Sequence, residues 1–276
     1  MQPVEPIDTV ALFPPLSREL LTLLASLAPA DWARPTACAG WSVKDVAAHL
    51  LGGNLGRLWR RDERSHDAKP SLDYVELVAL INRSNAEWVQ AARRISPEIL
   101  IAFLDLTDRR LYDHLASLPP DDPAPIAVAW AGDDPAPNWF DIAREYTEKW
   151  LHQQHIREAV GAPLLAGREW LFPVLDTFLR GLPRAYRAVS AEDGVGVGVE
   201  ITGEAGGAWT LRREGGRWRL YAGGDPGATC RVTLDADTAW RLFTKALAPE
   251  EAQRRAQIDG DARLGAPALD LTAIMA

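Results

Sequence analysis

Three side chains in this sequence have the types and spacing to grip one divalent cation. Glu148 and His152 stand four residues apart in the run Thr147-Glu148-Lys149-Trp150-Leu151-His152-Gln153-Gln154-His155-Ile156-Arg157. That run reads as a helix, and positions i and i+4 share a helix face. A third donor is needed, and Ala47-Ala48-His49-Leu50 offers His49 on a second predicted helix far upstream. Helix geometry narrows the choice. At about 100° per residue, Glu148, His152 and His155 fall within a sector of about 60°, yet positions 148 and 155 are about 10 Å apart along the axis. One ion can therefore take Glu148 with His152, or His152 with His155, but not the outer two together. His152 belongs to both choices.

Two imidazoles and one carboxylate suit zinc, although nickel, iron(II) or cobalt would accept the same donors. Three protein ligands leave coordination positions open, the pattern of a catalytic ion. There a thiol loses its proton and becomes a held nucleophile at neutral pH, or water is activated instead. Spacing alone does not decide for a metal, because Glu-x-x-x-His recurs by chance and a histidine on an apolar face is commonly a satisfied core residue.

The elements that would carry these residues follow from periodicity. Leu16, Leu20, Leu21, Leu23, Leu24 and Leu27 form a helical stripe. After Pro29 and Pro35, Ser42 is placed to cap a helix with Asp45 three residues on. That helix carries Val46, His49, Leu50, Leu55 and Leu58, despite glycines at 52, 53 and 56 that each weaken it by about 1 kcal/mol against alanine. Helical patterns resume over Tyr74–Ile95 and Ile99–Leu118. A Pro/Asp-rich connection, Pro119–Pro137, leads to Asn138, which caps a helix over Trp139–Val160 ended by Gly161. Long helices of this kind predict a bundle.

Beyond Gly161 the texture changes. One helical stretch, Glu169–Val189, precedes strand-like alternation at Gly194–Ile201, Ala208–Arg213, Arg217–Tyr221 and Thr229–Leu234, with Glu214-Gly215-Gly216 as a hairpin turn. Asp237–Ala246 is helical, and Ile258–Asp261 is a short strand or turn before a last helix. The expected organisation is a helical domain over residues 1–162 and a smaller α+β domain over 163–276.

Composition bounds the function. The chain has 276 residues, 47% hydrophobic and 25% charged, the balance of a soluble globular protein with room for two domains. A formal net charge of -8, with no local basic patch, argues against nucleic acid as a partner. The start Met1-Gln2-Pro3-Val4-Glu5-Pro6 lacks a secretory pattern and no apolar run approaches the roughly 20 residues of a membrane span. The expected setting is cytoplasmic, with a small-molecule partner and no membrane. Cys38 and Cys230 form no close-spaced pair, and both are read as structural thiols; no base is evident beside Cys38. Trp41 is read as a packing anchor at its helix start. His66 and His114 carry no role.

The block Pro35-Thr36-Ala37-Cys38-Ala39-Gly40-Trp41-Ser42-Val43-Lys44-Asp45-Val46-Ala47-Ala48-His49-Leu50 resembles the signature of the mycothiol-dependent maleylpyruvate isomerase family within the DinB-like superfamily. Glu148-Lys149-Trp150-Leu151-His152-Gln153-Gln154 is similar to that family's second, Glu-x-x-x-His, signature. The resemblance implies a divalent metal, normally zinc, held by His49, Glu148 and His152. It also implies a DinB-like four-helix bundle followed by a sterol-carrier-like α+β domain, to which Asp235–Phe243 and Ile258–Asp261 are similar. Relatives often carry an acidic residue where His155 stands. That side chain is a partner of the metal ligands, a substrate contact or a surface residue. The family also uses an arginine from its second domain, for which Arg254, Arg255 and Arg263 are candidates, each read first as a solvent-facing arginine.

The expected function is a metal-dependent enzyme that binds a low-molecular-weight thiol such as mycothiol as thiolate, for isomerisation of a small electrophilic substrate or thiol transfer to it. Two other functions fit the residues: a metal-dependent hydrolase activating water at the same site, and a non-catalytic carrier or sensor whose second domain binds an apolar molecule or lipid.

Overall fold

The computed structural model describes residues 1–62, 74–125, 128–132 and 136–273; His66 and parts of the Pro119–Pro137 connection lie outside the described residues. The chain divides into two compact units. One comprises Asp8–Asp122 with Glu145–Leu165, and the other Met1–Ile7, Pro123–Arg144 and Ala166–Met275.

The long helices are α1 (Phe13–Ser26), α2 (Val43–Asp62), α3 (Tyr74–Ala92), α4 (Pro97–Ala116) and α5 (Asn138–Val160). In the first unit α1, α2, α4 and residues 145–160 of α5 form the four-helix bundle, and α3 lies on α2. The leucine stripe of α1 turns inward as expected, with Leu16, Leu20 and Leu24 each no more than 4% exposed. Leu20 and Leu24 meet Val46, Leu50 and Leu51 of α2, Leu100 and Leu104 of α4 and Ile156 of α5 in one apolar cluster. Each such side chain, fully buried, contributes about 1.5–3 kcal/mol. Gly52 has a packing reason inside α2: a Cβ there would stand 2.5 Å from Cδ1 of Trp88 on α3. The Trp88 indole lies against that gap and donates its Nε1–H to the carbonyl of Ala48 at 2.7 Å.

Helix α5 is held differently, because it buries polar side chains around much of its surface: Glu145, Thr147, Lys149, Gln153, Gln154, His155 and Arg157 are all at most 9% exposed. Buried polar groups need partners. The Lys149 ammonium donates to Asn54 Oδ1 at 2.6 Å and pairs with Asp108 Oδ1 at 3.0 Å. Asn54 in turn donates to Thr107 and to Asp108. Arg57 and Glu145 pair at 3.4 Å with both side chains under 10% exposed. Gln153 reaches the carbonyl of Leu16, and Arg157 pairs with Glu19. These contacts fix α5 against α1, α2 and α4.

The second unit is built on a six-stranded sheet. Its strands are β1 (Gln2–Pro3), β2 (Gly196–Thr202), β3 (Gly207–Glu214), β4 (Arg217–Ala222), β5 (Cys230–Asp235) and β6 (Gln257–Gly260), in the order β1-β4-β3-β2-β5-β6. β2 and β5 pair in parallel and every other neighbouring pair is antiparallel. The four expected strands form as β2 to β5. Gly215 and Gly216, at φ of 56° and 74°, make the β3–β4 turn, as the double glycine requires. The expected helix over Glu169–Val189 forms in two pieces, α6 (Arg168–Leu179) and α7 (Leu182–Ala185). Gly181 separates them, and a Cβ there would stand 2.9 Å from the Leu271 side chain. Short helices α8 (Ala236–Phe243), α9 (Pro249–Arg255) and α10 (Ala262–Gly265) complete this α+β unit. Among the described residues no helix is long and apolar enough to cross a membrane.

The buried Lys149 network carries a measurable expectation. Lys149→Ala leaves the Asp108 carboxylate buried beside Asn54 without its cation, a change that costs about 3–5 kcal/mol. Urea unfolding of wild type and variant measures it, and a loss below about 1 kcal/mol would show that Asp108 is already satisfied without the lysine.

Candidate metal centre

The site begins at a tight turn ahead of α2. Thr36 N–H donates to the Trp41 carbonyl, Trp41 N–H to the Cys38 carbonyl, and Val43 N–H to the Arg34 carbonyl. Gly40 takes φ +78° in this turn, a conformation that glycine adopts without strain. Ser42 and Asp45 then form a capping box: Asp45 N–H donates to Ser42 Oγ, and both the N–H and the hydroxyl of Ser42 donate to Asp45 Oδ2 at 3.0 Å. Arg93, just past the end of α3, clamps the same carboxylate, Nε to Oδ1 at 2.9 Å and a terminal nitrogen to Oδ2 at 3.1 Å. Burial works against the Asp45 charge, but Arg93 and Ser42 outweigh it and hold its pKa below the usual value. One turn further along α2 comes His49, with the Trp41 ring 5.0 Å from its own.

Across from His49, α5 presents Glu148 and His152. His49 Nε2 lies 3.3 Å and His152 Nε2 3.1 Å from the same oxygen, Glu148 Oε1, and the two imidazole rings are 4.5 Å apart at 71°. The histidine side chains are 12% and 13% exposed, whereas Glu148 is 38% exposed. Solvent therefore reaches the centre from the carboxylate side. Donors placed about 2.0–2.1 Å from a tetrahedral ion stand about 3.4 Å from one another. Both separations are close to that edge, and all three donor atoms lie within 4.8 Å of one another, a spacing that can seat a small divalent cation. All three expected ligands are brought together.

The sequence showed no base beside Cys38, and here the structure differs. The turn sets Cys38 Sγ 3.1 Å from His155 Nδ1 and 3.7 Å from His152 Nδ1. His155 is 9% exposed, so it is not a surface residue. Burial opposes ionisation of the Cys38 thiol, but hydrogen bonds and attraction from His152 and His155 prevail and bring its pKa down to about 6. Burial likewise opposes protonation of His152, yet the charge of Glu148 and contacts with Cys38 raise its pKa to about 10. The surrounding protein opposes the Glu148 charge, but His152 and His49 outweigh it and hold its carboxyl well below the usual range. The metal-free centre is thus a row of alternating charge: carboxylate, imidazolium, thiolate. Arg254, Arg255 and Arg263 have side chains 69%, 43% and 91% exposed and pair with Glu251, Glu251 and Asp261, as solvent-facing arginines do.

A helical bundle that brings two imidazoles and a carboxylate to one point, joined in sequence to an α+β unit, defines the class as a two-unit protein with a candidate divalent-cation centre. The sequence model of the mycothiol maleylpyruvate isomerase N-terminal domain matches residues 13–157, more than half of the chain. The chain belongs to that family. No curated protein matches it. Among solved structures it is similar to mycothiol-dependent maleylpyruvate isomerase at 13% identity, with 84% of this chain and 86% of that one covered and a TM-score of 0.48. A histidine-to-alanine variant of the same protein matches at 12% identity over the same shares with the same TM-score. The sterol carrier protein domain 2 of Helicoverpa armigera matches at 18% identity, over 38% of this chain and 80% of that one, with a TM-score of 0.24. Family membership stands on the sequence match alone.

Two expectations follow from this geometry. Asp45 contributes fully above its unfolded pKa of about 3.9 and loses that contribution as pH falls through its lower folded value. The stability gap between wild type and Asp45→Asn should therefore be open at neutral pH and close below about pH 4 in urea unfolding; a gap that widens in acid contradicts the clamp. In metal-free protein, iodoacetamide should alkylate Cys38 with a pH midpoint near 6, while burial pushes the Cys230 thiol up and leaves it unreactive. A Cys38 midpoint at the free-thiol value of about 8.5 would show that the imidazoles do not act on it.

Proposed function

We propose that this protein is a divalent-metal-dependent enzyme, with zinc the best fit, that binds a low-molecular-weight thiol of the mycothiol type as thiolate. The reaction is isomerisation of a small electrophilic substrate, or thiol transfer to it. The observation that carries this reading is the convergence of His49 Nε2 and His152 Nε2 on Glu148 Oε1, within a chain of the mycothiol maleylpyruvate isomerase N-terminal domain family. When bound, the ion supplies the Lewis acidity that turns a coordinated thiol into a thiolate at neutral pH.

The residues themselves do the rest. Glu148 brings one negative charge to balance the cation, and its 38% exposure leaves an approach for small molecules. His152 offers Nε2 to the centre only with its proton on Nδ1, and Cys38 Sγ, 3.7 Å from Nδ1, is placed to accept from it. That contact orients the imidazole as an outer partner orients a ligating histidine. Trp41 against the His49 ring limits rotation on the other side.

The test combines elemental analysis with a thiol assay. Purified wild type should carry about one divalent ion per chain, and in a Cys38→Ser background His49→Ala and His152→Ala should each weaken its retention by at least about tenfold. Reconstituted protein should turn over an electrophilic acceptor such as an α,β-unsaturated acid only when thiol is present, with the thiol regenerated in isomerisation and consumed in transfer. Stoichiometric metal in both variants contradicts the ligand assignment. Ester or amide turnover that needs no thiol replaces the thiol reaction with hydrolysis at the same centre.

A further inference from the structure

A second set of donors lies beside the first and is not absorbed by it. Cys38 Sγ, His152 Nδ1 and His155 Nδ1 all lie within 4.8 Å of one another, with sulfur-to-nitrogen separations of 3.1 and 3.7 Å. Around a tetrahedral ion with a metal–sulfur distance of about 2.3 Å and a metal–nitrogen distance of about 2.0–2.1 Å, sulfur and nitrogen ligands stand about 3.6 Å apart. The sulfur is not on a loose segment. The Cys38 N–H donates to Thr36 Oγ1 at 3.2 Å and its carbonyl accepts from Trp41 N–H. His155 is buried on α5, one turn beyond His152.

We infer that Cys38, His152 and His155 form a second, thiolate-containing seat for a metal ion, and that it competes with the His49–Glu148–His152 seat for the one histidine they share. A neutral imidazole has a single free lone pair. With the His152 proton on Nδ1, Nε2 is available toward His49 and Glu148. With the proton on Nε2, the imidazole donates to Glu148 Oε1 at 3.1 Å, and Nδ1 is available toward Cys38 and His155. Glu148 then changes from ligand to outer carboxylate, a role such groups commonly hold behind metal-bound histidine. Occupying the second seat forms a sulfur–metal bond at Cys38 and displaces the proton of His152 Nδ1 to solvent, so that this nitrogen can take the ion. A sulfur and two nitrogens favour strongly thiophilic ions such as Cd2+, whereas the His49–Glu148–His152 seat suits borderline Zn2+ and tolerates harder ions. One chain thus holds one ion in either of two places, sorted by softness.

The experiment titrates metal-free protein with Co2+ and, separately, Cd2+. It follows the near-ultraviolet sulfur-to-metal charge-transfer band, with native mass spectrometry for stoichiometry and near-ultraviolet circular dichroism to verify folding. Wild type should develop the band, and so should His49→Ala and Glu148→Gln, which disable only the first seat. Cys38→Ser and His155→Ala should lose it, Cys230→Ala should keep it, and Cys38→Ser should still take up one Co2+ through the first seat. Absence of the band from wild type with both metals overturns the inference. So does its survival in Cys38→Ser, or its loss in both His49→Ala and Glu148→Gln, which would make the sulfur a fourth ligand of the first seat. Two ions per chain would overturn the competition. None of these readouts depends on turnover, so they separate this inference from the proposed thiol reaction.

Discussion

The bundle depends on how α5 buries charge. A helix with Glu145, Lys149, His155 and Arg157 all largely out of solvent cannot be docked by an apolar stripe alone, because each uncompensated group would cost several kcal/mol. The solution is a set of specific partners. Asn54 and Arg57 on α2, Thr107 and Asp108 on α4, and Glu19 with the Leu16 carbonyl on α1 complete groups on α5 or its network. Such contacts are directional, so they fix rotation and height of α5 in a way that close-packed leucines do less strictly. Glu148 and His152 inherit that precision.

The polar interior also explains why the metal-free centre holds together. His152 sits between Glu148 on one ring nitrogen and Cys38 on the other, so its two edges face donors of different chemistry. A hard carboxylate and a soft sulfur on opposite sides of one imidazole make ligand choice and proton position the same question.

Much of this was legible in the chain. The leucine spacing of α1, the Ser42/Asp45 box, the Glu148/His152 interval and the paired glycines of the β3–β4 turn each encode local geometry, and each formed as the spacing required. The pairing of His49 with Glu148 was legible through the family signatures, since nothing local links residues 99 positions apart. What stayed hidden shared that long range without a motif to reveal it. Cys38 meets His152 and His155 across 114 and 117 residues, and its sequence neighbours Ala37 and Ala39 give no sign of a base. The sequence did show that His152 and His155 could serve one ion, but not that a thiol stands beside them. β1 was equally silent: two residues, Gln2 and Pro3, have no periodicity, and only their pairing with Tyr221 and Ala222 makes them a strand.

The hydrogen-bonded start of α2 has a consequence for how this part of the chain can change over time. Five residues of regular helix separate Val43 from His49, and the box between Ser42 and Asp45 pins the start of that interval. Adding or deleting one residue inside that interval would swing the imidazole by about 100° around the axis and slide it by about 1.5 Å, carrying it away from Glu148. Point substitutions there alter packing by degrees. Length changes do not permit such gradation, so the interval should be inherited as a ruler of constant count, with variation in length left to the loops on either side.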